Sequence, residues 1–204
     1  MKAPWVLSAA LLALCGCTAV DKLTGMGVVS QRVSASDHAT IIDVSPNALY
    51  DPGSARGTPL RLGARWASDA PQSVTLVLSY ESTVSSDAPT VQSFETLQIS
   101  IDGQVSSFPS GKPSDLSSGF SNAVSHTIRT SSRGEVLIPY ALLRRMATAK
   151  DCWLRVIGSD YQDAKFSADH LPDGKPTAIV SIREFMTKVD AARASGSGTP
   201  QRAG

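Results

Sequence analysis

Leu60-Arg61-Leu62-Gly63-Ala64-Arg65-Trp66, followed after a short break by Val74-Thr75-Leu76-Val77-Leu78-Ser79-Tyr80, carries the clearest two-residue alternation in the chain. In the first segment the even positions are apolar and Arg61 and Arg65 project the other way. In the second, Val74, Leu76, Leu78 and Tyr80 repeat the pattern against Thr75, Ser79 and Glu81. A period of two means strands with one face on a core and one in water. The link through Asp69, Ala70 and Pro71 is short enough to make the two antiparallel neighbours. Upstream, residues 39–44 (ATIIDV) read as the first strand, and residues 45–58, with Pro46, Asn47, Pro52, Gly53 and Gly57, read as a run of turn formers.

Downstream, a serine-rich loop over residues 83–92 leads to Leu97, Ile99 and Ile101, which alternate with Thr96, Gln98 and Ser100. Asp102-Gly103 follows, and Asp-Gly between extended segments signals a two-residue hairpin, because both turn positions take positive φ. Such a turn sets Ile101 opposite Gln104 and Leu97 opposite Phe108, and it turns Val105 outward, which leaves room for a bulge. Residues 109–125 carry Ser, Gly, Lys and Pro with Leu116, Phe120 and Val124 as their apolar anchors, and read as a long loop of the mobile or functional kind. Residues 126–130 and 135–138 flank Ser131-Ser132-Arg133-Gly134 as a second hairpin candidate.

Pro139 suits the first turn of a helix, where its missing N–H costs nothing. Leu142, Leu143 and Met146 fall at helical spacing, with Arg144 and Arg145 on a solvated face. Residues 152–157 are a strand, Gly158-Ser159-Asp160 a bend, and residues 161–167 the returning strand. After the turn His170-Leu171-Pro172-Asp173-Gly174, residues 177–193 form a helix whose stripe of Ile179, Ile182, Phe185, Met186 and Val189 faces the sheet, with Arg183, Glu184, Lys188 and Asp190 away from it. The sum is a mainly β protein: an antiparallel β-sandwich or strongly bent sheet of eight or nine short strands, with one short inserted helix and a C-terminal amphipathic helix. No internal repeat is present at a solenoid or propeller period.

The N-terminus sets the address. Lys2 precedes an apolar run from Val6 to Leu14, the pattern of a secretory signal peptide and too short for a membrane span. The closing Leu14-Cys15-Gly16-Cys17 resembles the lipobox of bacterial lipoproteins, with Leu14 and Gly16 fitting the pattern and Cys15 an unusual choice. The resemblance implies that Cys17 becomes the first residue of the mature protein and carries palmitate-type acyl chains. One such chain binds a membrane reversibly, whereas the three of this family anchor it in effect permanently. Thr18, in place of an aspartate, implies the outer membrane, on its periplasmic face or at the cell surface. The other reading is an ordinary cleaved signal peptide and a soluble periplasmic protein. The domain division is then residues 1–16 signal, residues 17–37 lipidated cysteine and flexible tether, residues 38–194 one β-rich domain, and residues 195–204 a flexible tail. As a β-rich domain with a helix between late strands, the mature part is similar to many uncharacterised Gram-negative envelope lipoproteins, a similarity that implies no activity and no site residues.

Removing residues 1–16 from 204 leaves 188, enough for one domain with a real core. The chain has 19 Lys plus Arg against 18 Asp plus Glu; Lys2 leaves with the signal, so the mature formal charge is zero. Without a basic surplus nucleic acid is a poor partner. Of three cysteines, Cys15 is discarded and Cys17 acylated, which leaves Cys152 without an internal disulfide partner. Cys152 could be a nucleophile or an intermolecular bridge, but it alternates with Trp153 in step with Leu154 and Val156, on the apolar face of a strand.

Catalytic constellations are weak. Gly119-Phe120-Ser121-Asn122-Ala123 approaches a G-x-S-x-G elbow but ends in Ala123, with no parallel strand leading in. His38, His126 and His170 are scattered and lack zinc-site spacing. Asp169 and Asp173 lack the third acid and fixed glycine of a calcium loop. Asp160 and Asp163 suit a hairpin, and Gly25-x-Gly27 lacks the strand and third glycine of a phosphate loop. No cofactor and no metal is expected. The reading is a non-enzymatic binding or assembly module, held at the membrane by the lipid on Cys17 and contacting another envelope protein, a secretion machine or cell-wall polymer. The alternatives are a serine-dependent envelope hydrolase with Ser121 as nucleophile and His126 or His170 as base, and a small-ligand-binding periplasmic domain with a groove lined by Tyr161, Trp153 and Arg155.

Overall fold

A computed structural model of the chain describes residues 25–53, 60–85, 93–111, 115–122, 127–158 and 161–196. The expected signal peptide over residues 1–16, Cys17, His126, Asp160 and residues 197–204 lie outside them. Among the described residues ten strands and two helices follow in chain order: β1 (Val29–Val33), β2 (Thr40–Ala48), β3 (Leu60–Ala67), β4 (Ser73–Ser85), β5 (Thr96–Ile101), β6 (Gln104–Pro109), β7 (Asp115–Asn122), β8 (Thr127–Pro139), α1 (Tyr140–Thr148), β9 (Cys152–Ile157), β10 (Tyr161–Lys165) and α2 (Ala178–Gly196). They form a six-stranded sheet, β1-β2-β3-β4-β8-β7, and a four-stranded sheet, β10-β9-β5-β6, with every pairing antiparallel.

The two-residue alternation settles which faces meet. Leu60, Leu62, Ala64 and Trp66 of β3 and Val74, Leu76 and Leu78 of β4 are buried in one core with Leu97, Ile99 and Ile101 of β5 and Cys152, Leu154 and Val156 of β9. The helix α2 completes it with Ile179, Ile182, Phe185 and Val189, lying against β1, β2 and β3. The architecture is the mainly β one expected: two antiparallel sheets, a short helix inserted between β8 and β9, and a C-terminal amphipathic helix.

Several expectations are corrected. Ser131-Ser132-Arg133-Gly134 is no hairpin: β8 runs straight through it and pairs with β4 without interruption from Ser73 opposite Pro139 to Ser85 opposite Thr127. The turn-like composition reflects an inner face built from small residues. Thr130 and Ser132 are buried, and a Cβ on Gly134 would stand 2.7 Å from the Phe94 ring, so Phe94 supplies the bulk that β8 lacks. The supposed loop over 109–125 contains β7, which pairs with β8 through a register shift between Ser118 and Ser121. Likewise β4 extends to Ser85, into the expected 83–92 loop.

The stretch read as tether contains β1, paired with β2 from Val29 opposite Val44 to Val33 opposite Thr40. It enters the fold through a close approach. A Cβ on Gly27 would meet Ser181 Oγ at 2.3 Å and Asn47 Nδ2 at 2.9 Å, while Ser45 Oγ accepts from Val28 N–H and donates to the Gly25 carbonyl. That packing accounts for Gly27, whereas Gly25 has open space around an added Cβ and is favoured by its φ of 79°. β2 also runs on to Ala48 through Pro46, with a register shift between Val44 and Asn47, so part of the expected turn run is strand. Pro139 is the extended cap before α1, φ −62° and ψ 137°, and not a residue of its first turn.

Candidate functional site

The residues singled out for chemistry are dispersed or engaged. Ser121 lies on β7, opposite Ile128 at the edge of the six-stranded sheet, while His170 bridges Pro176 in the turn that leads into α2. The structure places them on different parts of the fold. Asp169 accepts from Arg183 at 2.8 Å, and Asp173 pairs with Lys175 at 2.8 Å. Among the described residues no group of three or more His, Cys, Asp or Glu side chains gathers as a metal site. The proposed groove residues Trp153 and Arg155 are committed to neighbours. Arg155 makes a two-pronged contact with Asp163 at 2.6 and 2.7 Å across the β9–β10 pair, and Trp153 Nε1 donates to Asp151 at 3.0 Å beneath Lys165. Cys152 is fully buried, and burial first, then the charges of Asp151 and Asp102, push its thiol from 9.0 up to about 12.

Two clusters of paired charges stand out among the described residues. On the outer face of the six-stranded sheet, Asp43 bridges Arg65 at 2.6 Å and Arg32 at 3.2 Å, Arg65 reaches Glu135 at 3.8 Å, and Arg61 meets Glu81 at 3.5 Å. Opposite charges on adjacent strands neutralise one another there, so this face presents no single-sign field. Between the helices, the buried Tyr140 hydroxyl donates to Asp190 at 2.9 Å, Arg144 pairs with the same carboxylate, and the guanidinium groups of Arg193 and Arg144 lie 4.9 and 5.6 Å from the Tyr140 ring centre. Burial first, then Asp190, raise the Tyr140 phenol from 10.0 to about 12. Burial disfavours the Asp190 charge, but Arg144 and Tyr140 outweigh it and hold that carboxyl below the usual range.

The sheet edges differ from one another, and that difference marks the candidate site. An edge strand exposes unpaired N–H and C=O groups, which folded proteins normally blunt with charge, a bulge or a covering segment. β1 carries Arg32, and Lys188 Nζ donates to the Val29 carbonyl. β7 carries the register shift. β10 is covered where Lys165 N–H donates to the Tyr50 carbonyl at 2.6 Å. β6, Gln104-Val105-Ser106-Ser107-Phe108-Pro109, has no charge and no register shift; its protection lies at its end, in Pro109 and in the following Gly111, whose N–H donates to the Glu135 carbonyl of β8 at 2.9 Å, so that among the described residues the outer backbone groups of Val105 and Ser107 are the ones without a covering segment. Every residue of it is exposed except Phe108, and Val105 is 62% exposed.

The hairpin explains this edge. Asp102 and Gly103 have φ of 48° and 86°, as the two-residue turn demands, and the register is the expected one, Ile101 opposite Gln104 and Leu97 opposite Phe108. No bulge is needed: Val105 simply faces outward. Two-residue closure makes Ile101 and Gln104 a hydrogen-bonded pair, and Ser110 N–H donating to the Glu95 carbonyl at 2.8 Å continues the same phase. Gln104, Ser106 and Phe108 therefore bond to β5, and the backbone groups of Val105 and Ser107 point away from the sheet. Beside the strand, a depression of about 330 Å³ is lined by Ile101, Asp102, Gln104, Arg145, Thr148 and Ala149, with Arg145 donating to Gln104 at 3.3 Å. The hairpin is legible in the sequence and the site is not; the one signal for it is the absence of charge over residues 104–109 directly after Asp-Gly.

Comparison with protein-family models, with curated proteins and with solved structures finds no match. Among the described residues no helix is long and apolar enough to cross a membrane.

Proposed function

We propose that this chain is a lipid-anchored protein of the bacterial envelope, attached to the outer membrane through Cys17, that acts without catalysis as a binding or assembly module for another protein. The observation that carries the binding role is the β6 edge at Val105 to Ser107, which has no backbone partner among the described residues, beside a hairpin of fixed register. Backbone groups on such an edge give affinity to an added strand, and alternate side chains give selectivity. The anchoring rests on the lipobox resemblance at Leu14 to Cys17. With β1 part of the fold, only residues 17–24 separate the acylated cysteine from the turn at Gly25, a reach of at most about 28 Å when fully extended. The domain is thereby held close to the membrane.

A photo-reactive benzoylphenylalanine at position 105, activated in intact cells, tests the role: discrete crosslinked species support it, and their absence with folded, membrane-bound protein sinks it. Labelling by a serine-directed fluorophosphonate is expected to be nil. Labelling that disappears in Ser121→Ala would instead establish a hydrolase.

A further inference from the structure

We infer that β6 is a self-pairing edge, to which a second copy of this chain adds its own β6 antiparallel about a two-fold axis at Ser106, joining the two four-stranded sheets into one. The inference names the partner of the edge described above and rests on that reading. Between Gln104 and Pro109 the outward backbone groups are the N–H and C=O of Val105 and Ser107, placed symmetrically about Ser106. An identical strand run antiparallel, with Val105 opposite Ser107 of the second copy and Ser107 opposite its Val105, satisfies all of these groups reciprocally. The same register sets Ser106 against Ser106 of the second copy, and the half-buried Phe108 against the stem of its Gln104. Pro109, which has no N–H to leave unpaired, falls where the new ladder ends.

Charge agrees with this occupant. Neither strand carries a charged side chain, so duplication about the axis brings no like charges together. The other three edges carry a cation, a register shift or a covering segment and offer no comparable match. The contact is confined to one strand edge, well below the area of a stable soluble dimer, so pairing draws on copies confined to one membrane surface.

The test is Ser106→Cys in the full-length chain, oxidised in its own envelope and resolved without reductant. Opposed residues at a non-hydrogen-bonded antiparallel position lie about 4.5 Å apart at Cα, within the span of a disulfide. The expected result is a band at twice the chain mass, absent from the unsubstituted chain, whose Cys152 is buried. Val105→Cys alone should give little of it, whereas Val105→Cys mixed with Ser107→Cys should restore it. Adding Ser107→Pro to Ser106→Cys removes an outward N–H at a position where an edge strand tolerates proline, and should abolish the band. Adding Val105→Lys should do the same without any change of backbone. No band from folded, membrane-bound Ser106→Cys overturns the inference, as does equal crosslinking from Val105→Cys, the mark of random collision. If benzoylphenylalanine at position 105 captures a protein of different mass while Ser106→Cys stays monomeric, self-pairing fails and the binding role stands; if it captures nothing, both fail.

Discussion

At the residue scale the fold keeps two acidic protons that the unfolded chain releases more readily. Burial raises both the Cys152 thiol and the Tyr140 phenol to about 12, from 9.0 and 10.0. A raised folded value means stability is fully present below the unfolded value and is lost as pH rises through the folded one. Urea unfolding should therefore show stability falling from about pH 9 towards pH 12, and in Tyr140→Phe the fall should be shallower. At neutral pH the same substitution removes the hydrogen bond to Asp190 but leaves Arg144 on that carboxylate, so a loss of about 1 kcal/mol is expected. A maleimide should react with Cys152 only on unfolding; reaction as fast in the native protein would refute its burial. This thiol was legible in the sequence because its neighbours alternate. The Tyr140–Asp190 contact was not, since the partners are 50 residues apart and meet only when the two helices pack.

At the scale of elements, legibility follows contrast between faces. β3, β4 and β5 set large apolar residues against polar ones and were readable. β8 resembles a hairpin in sequence because its inner face carries Thr130, Ser132 and Gly134, whose small size is explained by Phe94 packed over Gly134. Gly134→Ala puts a methyl group 2.7 Å from that ring and should cost about 2 kcal/mol by overpacking. At Gly103 nothing lies within 4 Å of an added Cβ, so Gly103→Ala should cost only the strain of its positive φ, about 1 kcal/mol. Equal midpoints for the two variants in urea would show that Phe94 does not fill that space. Phe185 of α2 is completely buried, and Phe185→Ala should cost about 3 to 5 kcal/mol, a large share of the stability of a domain this size.

At the scale of the whole molecule, four sheet edges are managed in different ways, and three are visibly protected. A sequence shows where a strand is but not whether it lies at an edge, because edge position depends on pairings between distant segments. The site at β6 therefore emerged only with the sheet order β10-β9-β5-β6. The proposed anchor has the opposite character: the motif that suggests it is local, Leu14 to Cys17, and the fold adds to it only the shortness of the reach to Gly25. Cys17→Ser should move the protein from the membrane to the soluble fraction, and unchanged membrane association on fractionation would remove the lipid from the account. The most direct test joins the two ends: benzoylphenylalanine at position 105, activated in living cells, in the chain with Cys17 and in the chain with Cys17→Ser. A discrete crosslinked species that depends on Cys17 is expected. Crosslinking in neither chain, or equally in both, would contradict a membrane-anchored binding role.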